Sequence, residues 1–128
     1  MIGKYIPKAL RNGDNMNIQI FGKKKCFNTK KAERYFKERA IKYQFVDLLD
    51  KGISKGEFEN IKKAVGGLGY MLDENCKDKK LMTLFNYLSE EDKEDKMLEN
   101  PILLKTPIVR NGKQATVGVH VEIWKDWE

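Results

Sequence analysis

Apolar positions change their spacing several times along this chain, and each change marks an element. Asn17 to Phe21 alternates, with β-branched Ile18 and Ile20 either side of Gln19, and it meets Gly22 and three lysines, which predicts a short strand opening into a loop. From Thr29 to Ala40 the residues Ala32, Tyr35, Phe36 and Ala40 share one helical stripe among Lys, Glu and Arg, so a first helix is expected there. Tyr43 to Leu48 is aromatic and β-branched and reads as a second strand, ended by Asp50-Lys51-Gly52. Ser54 and Glu57 form a capping box for a helix reaching about Val65, where Gly66 and Gly67 stop it; Phe58, Ile61 and Val65 make its buried stripe.

The helical period returns at Leu81, Leu84, Phe85 and Leu88, within a helix expected over Lys79 to Leu88, and Ser89 caps another through Glu99. Beyond Pro101 the pattern becomes that of a hairpin: Ile108-Val109-Arg110, an Asn111-Gly112 turn, then Gln114 to Val117. Gly118 breaks that strand, and Val121, Ile123 and Trp124 suit a last short helix packed on the sheet. Residues 1–16 hold Pro7 and Gly13 without either period, so they are expected to form a flexible extension, with Met16 a candidate natural start. Residues 17–128 then make one domain. A parallel βαβ unit, a helical insert at about 54–100 between strands 2 and 3, an antiparallel hairpin and a closing helix define an α/β thioredoxin-like, glutaredoxin-like fold with a mixed four-stranded sheet.

Composition narrows the setting. A chain of 128 residues, 41% apolar and 34% charged, is long enough for one core and is neither disordered nor membrane-spanning in character. Apolar runs such as Pro101 to Leu104 are too short to cross a bilayer, and none near the N-terminus resembles a secretory signal, so a cytoplasmic protein is expected. The net charge of +6 is uneven: residues 1–64 carry 16 basic and 7 acidic side chains, residues 65–128 carry 9 and 12. Such a basic half suits nucleic acid, a small anion or an acidic partner, and equally suits a lysine-rich solvated surface. The lysines at 23–25, 30–31 and 62–63 lack interleaved aromatic and base-reading side chains, which argues against nucleic acid. Without heptads, a monomer is expected.

Two cysteines, Cys26 and Cys76, and one histidine, His120, exclude both a disulfide framework and a four-ligand zinc site, so neither a metal nor a tightly bound cofactor is expected. Thiol chemistry remains open. Cys26 falls where the first strand gives way to the first helix, so the free N–H groups of that helix, together with Lys23, Lys24, Lys25 and Lys30, favour thiolate over thiol. Asn28, Thr29, Lys30 and Lys31 follow it, and so polar a segment is a poor place to bury a cysteine; Lys24, Lys25, Asn28, Thr29 and Lys30 are the candidate thiol-activating or anion-binding residues. His120, at the start of the last helix, is either a base for the thiol or, more simply, a capping or packing residue; Trp124 and Trp127 read as anchors of that helix.

The segment Ile18-Gln-Ile-Phe-Gly-Lys-Lys-Lys-Cys26 with Lys30-Lys31-Ala32 resembles the strand, loop, cysteine and helix that open the arsenate reductase (ArsC) and Spx family. Asn100-Pro-Ile-Leu-Leu-Lys-Thr-Pro-Ile-Val109 resembles that family's approach to its cis-proline, and Val117-Gly118 before the Trp124 helix resembles its ending. Spanning roughly residues 17 to 127, the resemblance implies a cis Pro107 beside Cys26, with the Thr106 backbone forming an edge for an extended thiol substrate or glutathione. It implies an oxidoreductase, arsenate reductase-like or glutaredoxin-like, in which Cys26 is the nucleophile and glutathione, another small thiol, or a glutaredoxin- or thioredoxin-type reductant regenerates it.

Departures from the family pattern are informative. Where arsenate reductases hold the oxyanion with arginines, this chain has Thr106 before the proline, Lys30 beyond the cysteine and Asn75 in the insert, and only arginine offers a bidentate fork. Spx proteins carry Cys-x-x-Cys, whereas Cys26-Phe27-Asn28-Thr29 has one thiol, so regeneration needs an external thiol or a distant cysteine. Cys76, next to Asn75, is the candidate for that distant role; the plainer reading is an incidental thiol. The alternatives are an Spx-like regulator that binds RNA polymerase, with Gly52 the nearest match to that family's partner-binding glycine, and a member that has lost catalysis.

Overall fold

The structure, a computed structural model, describes residues 16–128, so the expected extension lies outside the described residues except for Met16. In chain order the elements are β1 (Ile18–Gly22), α1 (Phe27–Glu38), β2 (Tyr43–Asp47), α2 (Leu48–Lys51), α3 (Lys55–Val65), α4 (Lys79–Asn86), α5 (Glu90–Glu99), β3 (Ile108–Asn111), β4 (Gln114–Val117) and α6 (Val121–Trp127). Two 3₁₀ turns, Leu68–Met71 and Pro101–Leu103, join them.

The sheet has the order β2-β1-β3-β4, with β1 and β2 parallel and the other two pairings antiparallel. Alternation along β1 sorts side chains to two faces. Ile18 and Ile20 join Ala32, Tyr35 and Phe36 of α1, Val109, and Trp124 and Trp127 of α6 in one buried cluster, against which Met16 also packs. Phe21 and Ile108 point the other way, into a cluster with Phe58 and Ile61 of α3, Phe85 of α4, Met97 of α5, Leu103, Leu104 and Cys76. The insert helices thus cover one face, while α1 and α6 cover the other. Trp124 is fully buried, and its Nε1–H donates to Thr116 Oγ1 at 2.8 Å, so the bulkiest residue of the core buries no unpaired donor.

Local chemistry sets the element ends. The Ser54–Glu57 capping box opens α3 as expected, Ser89 caps α5, and Asp78 caps α4. Other boundaries move. Helix α1 begins at Phe27, two residues before the apolar stripe suggested, because in its first turn the buried residue is the polar Thr29 while Phe27 is exposed, so no apolar period shows there. It ends at Glu38, with Ala40 at φ 56 and the Ile41 N–H closing on the Phe36 carbonyl at 2.9 Å. Strand β2 stops at Asp47, whose carboxylate accepts the Leu49 N–H and starts the single turn of α2. Helix α4 ends at Asn86, short of Leu88. The hairpin loop is Gly112-Lys113, not Asn111-Gly112, since Asn111 still pairs with Gln114. Gly112 at φ 60 takes the first loop position, the pattern of a type II′ turn.

Candidate active site

Everything at this site is arranged around the junction of β1 and α1. Gly22 ends β1, the Cys26 N–H closes a turn on the Lys23 carbonyl at 2.9 Å, and Cys26 occupies the N-cap position with extended backbone, φ −82 and ψ 118. The sulfur therefore lies at the first turn of α1, where the backbone N–H groups have no partner within the helix. Across from it the Thr106–Pro107 bond is cis, and the thiol donates to the Thr106 carbonyl over 3.7 Å.

The sulfur is tuned by its neighbours. Partial burial pushes the Cys26 thiol up, but hydrogen bonds from the Thr106 and Thr29 side chains and from the N–H groups of Thr29 and Asn28 outweigh that, holding it below its ordinary value. Thr29 is buried, and its hydroxyl also receives the Lys23 N–H at 3.4 Å. A Cβ on Gly22 would lie 2.3 Å from Thr29 Cγ2, so glycine there is what lets Thr29 tuck beneath the loop.

Beside the thiol is a cleft of about 560 Å³ whose walls include Cys26, Lys24, Lys25, Asn75, Cys76 and Thr106. The fold thereby brings together most of the residues singled out in the sequence. Asn28 is exposed and contributes its backbone N–H. Lys30 is the exception: its N–H reaches the Cys26 carbonyl at 3.3 Å, but its exposed side chain is not part of the cleft wall. Pro107 itself is buried with the start of β3. His120 sits away from the cleft, with Nε2–H donating to the Val117 carbonyl at 2.8 Å, in the packing role. Among the described residues no group of three or more His, Cys, Asp or Glu is placed to hold a metal.

Lys23, noted in the sequence only as nearby charge, has a larger structural part. Only 14% of its side chain is exposed, and its ammonium donates to the carbonyls of Leu104 at 2.7 Å and Ile102 at 3.2 Å while lying 3.8 Å from Asp73. It therefore ties the cysteine loop to both the turn before the cis bond and the insert. Lys24, largely exposed, lies 3.8 Å from Asp47. With Asp47 and Asp73 on the wall, and no arginine, the cleft is of mixed charge and offers no fork for an oxyanion. Exposed Leu49 and Ile102 add apolar surface to it, and Phe27, 73% exposed, stands immediately after the cysteine.

A cysteine capping the first helix, opposite a cis-proline turn on a mixed four-stranded sheet, defines a protein of the thioredoxin fold. Within that class the chain belongs to the ArsC family, whose model matches residues 21–127. It is 29% identical over 107 residues to the global transcriptional regulator Spx 2 of Oceanobacillus iheyensis, a match covering 82% of this chain and 78% of that protein. Among solved structures it resembles an ArsC family related protein from Bacteroides fragilis, with a TM-score of 0.77 at 20% identity over 89% of this chain and 99% of that one. An arsenate reductase from Vibrio cholerae gives a TM-score of 0.72 at 24% identity over 88% and 98%. At such identities the structural likenesses speak to the fold. No described helix is long and apolar enough to cross a membrane.

Proposed function

We propose that this chain is a cytoplasmic thiol oxidoreductase acting through Cys26. The observation that carries the reading is the placement of one half-exposed sulfur at the start of α1, facing Thr106 before a cis-proline and held toward thiolate by surrounding donors. In the first step the Cys26 thiolate attacks one sulfur of a disulfide, forming a mixed disulfide and releasing the other sulfur as a thiolate. In the second, a thiol such as glutathione, or one on a glutaredoxin- or thioredoxin-type protein, attacks that mixed disulfide; a new disulfide leaves and the Cys26 thiolate returns. The walls favour such a substrate over arsenate. Lys23 is committed to carbonyl oxygens and Asp73, Asn75 and Thr106 stand where the family's arginines would, and two carboxylates face the cleft.

Turnover of hydroxyethyl disulfide with glutathione, coupled to a glutathione-reducing system, tests this directly: wild type is expected to catalyse exchange and Cys26→Ser to fall to the uncatalysed rate. Equal rates for the two chains would remove the assignment. The likeness to Spx 2 supports a second reading, a transcriptional regulator that binds RNA polymerase. That reading expects polymerase subunits to be retained from lysate equally by wild type and Cys26→Ser, with no exchange activity in either.

A further inference from the structure

Both cysteines of the chain line the same cleft, although 49 residues of sequence separate them and neither is bonded. We infer that Cys76 is a second catalytic thiol, which resolves the adduct formed on Cys26 by closing a disulfide across this cleft; the inference rests on Cys26 being the nucleophile.

Two matching turns bring the two cysteines to the wall of one cleft. The Cys26 N–H bonds the Lys23 carbonyl at 2.9 Å, and the Cys76 N–H bonds the Asp73 carbonyl at 3.0 Å, so each cysteine closes its own four-residue turn. The residues that open those turns, Lys23 and Asp73, are themselves paired at 3.8 Å. A second strut holds the Asp73 turn in place: the Asp73 N–H donates to the Leu103 carbonyl at 2.8 Å, one residue from the carbonyl that receives the Lys23 ammonium. The cysteine loop, the insert and the approach to Pro107 are thus laced together around the cleft.

Burial divides the work between the two sulfurs. Cys26 is half-exposed and can meet a substrate, whereas Cys76 is only 2% exposed and is the one buried residue in the irregular stretch 73–78. A bulky oxidant therefore reaches Cys26 first, and Cys76 is approached by way of the cleft they share. A disulfide needs α-carbons within about 7 Å, and closing it takes the Cys76 side chain out of the apolar cluster in which it is buried, while the Lys23 and Leu103 contacts hold the Asp73 turn beside the cysteine loop. Thr29 cannot perform this step because its hydroxyl forms no disulfide. A thiol on the same chain competes with external thiols at an effective concentration of about millimolar.

The chemistry balances without a cofactor. A disulfide RSSR is the oxidant: Cys26 thiolate takes one RS group, forming Cys26–S–SR and releasing RS⁻. The Cys76 thiol loses its proton to solvent and attacks the Cys26 sulfur, forming the Cys26–Cys76 bond and expelling the second RS⁻. Two external thiols then return both cysteines to the reduced state and leave as a disulfide.

Intact mass spectrometry of the full chain, treated with hydroxyethyl disulfide and acid-quenched over a time course, tests the assignment. Wild type is expected to lose the mass of two hydrogens with little lasting adduct, and Cys76→Ala to keep one mercaptoethanol group on Cys26. Non-reducing peptide mapping of the wild-type chain should recover the Cys26 peptide linked to the Cys76 peptide, a result that needs no variant to fold. If wild type keeps its adduct as long as Cys76→Ala does, and no linked peptide is found, Cys76 is not a resolving thiol while Cys26 remains a nucleophile. If neither chain takes up the adduct, both assignments fall.

Discussion

At the scale of single residues, Thr29 is the clearest case of a side chain whose importance depends on where it points. In the sequence it is the place where a second thiol is missing, and its buried hydroxyl in the fold is one of the donors that hold the Cys26 sulfur toward thiolate. Thr29→Val keeps the shape and removes that donor, so the Cys26 pKa should rise and its alkylation by iodoacetamide at neutral pH should slow severalfold. Losing the acceptor of the Lys23 N–H should cost the fold about 1 kcal/mol as well. The thiolate also links stability to pH. Because folding lowers this pKa, the contribution is fully present above the unfolded value and is lost as pH falls through the folded value. Wild type should therefore gain on Cys26→Ser in chemical denaturation as pH is raised through that window.

Among elements, the turn from β1 into α1 is the most constrained. A methyl group at Gly22 would sit 2.3 Å from Thr29 Cγ2 and 2.8 Å from Thr29 Oγ1, so Gly22→Ala must displace either the helix start or the threonine. We expect a loss of about 1–3 kcal/mol in urea unfolding, with part of it recovered when Thr29→Ala is added. Full additivity of the two substitutions would show that they do not meet. The strands, the capped insert helices and the hairpin were legible because each carries a period or a cap over several residues: Ser54 with Glu57, Ser89, Ile18 with Ile20. Short pieces were not. The single turn of α2 and the 3₁₀ turns at Leu68–Met71 and Pro101–Leu103 are too brief to show a repeat. Lys23 escaped for a different reason: its partners, the carbonyls of Ile102 and Leu104, are distant in the chain, and backbone acceptors have no residue type to betray them.

Over the whole molecule, the sheet separates two apolar clusters and leaves the chemistry at one end, where β1, the insert and the turn before β3 converge. That convergence is why the candidate site was only partly readable. Cys26 and the Thr106–Pro107 pair could be placed from local motifs and family resemblance, but the shared cleft with Cys76, and the absence of the Lys30 side chain from it, are properties of the assembled fold. Membership of the ArsC family sets the scaffold, while the mixed charge of the cleft sets what the scaffold can hold. The most direct measurement is the pH dependence of iodoacetamide alkylation of Cys26, made on the folded Cys76→Ala chain so that a single thiol reports. The account expects a half-maximal rate clearly below about pH 8.5, the free-thiol value. A profile centred at or above that value, as for an unfolded peptide, would contradict it.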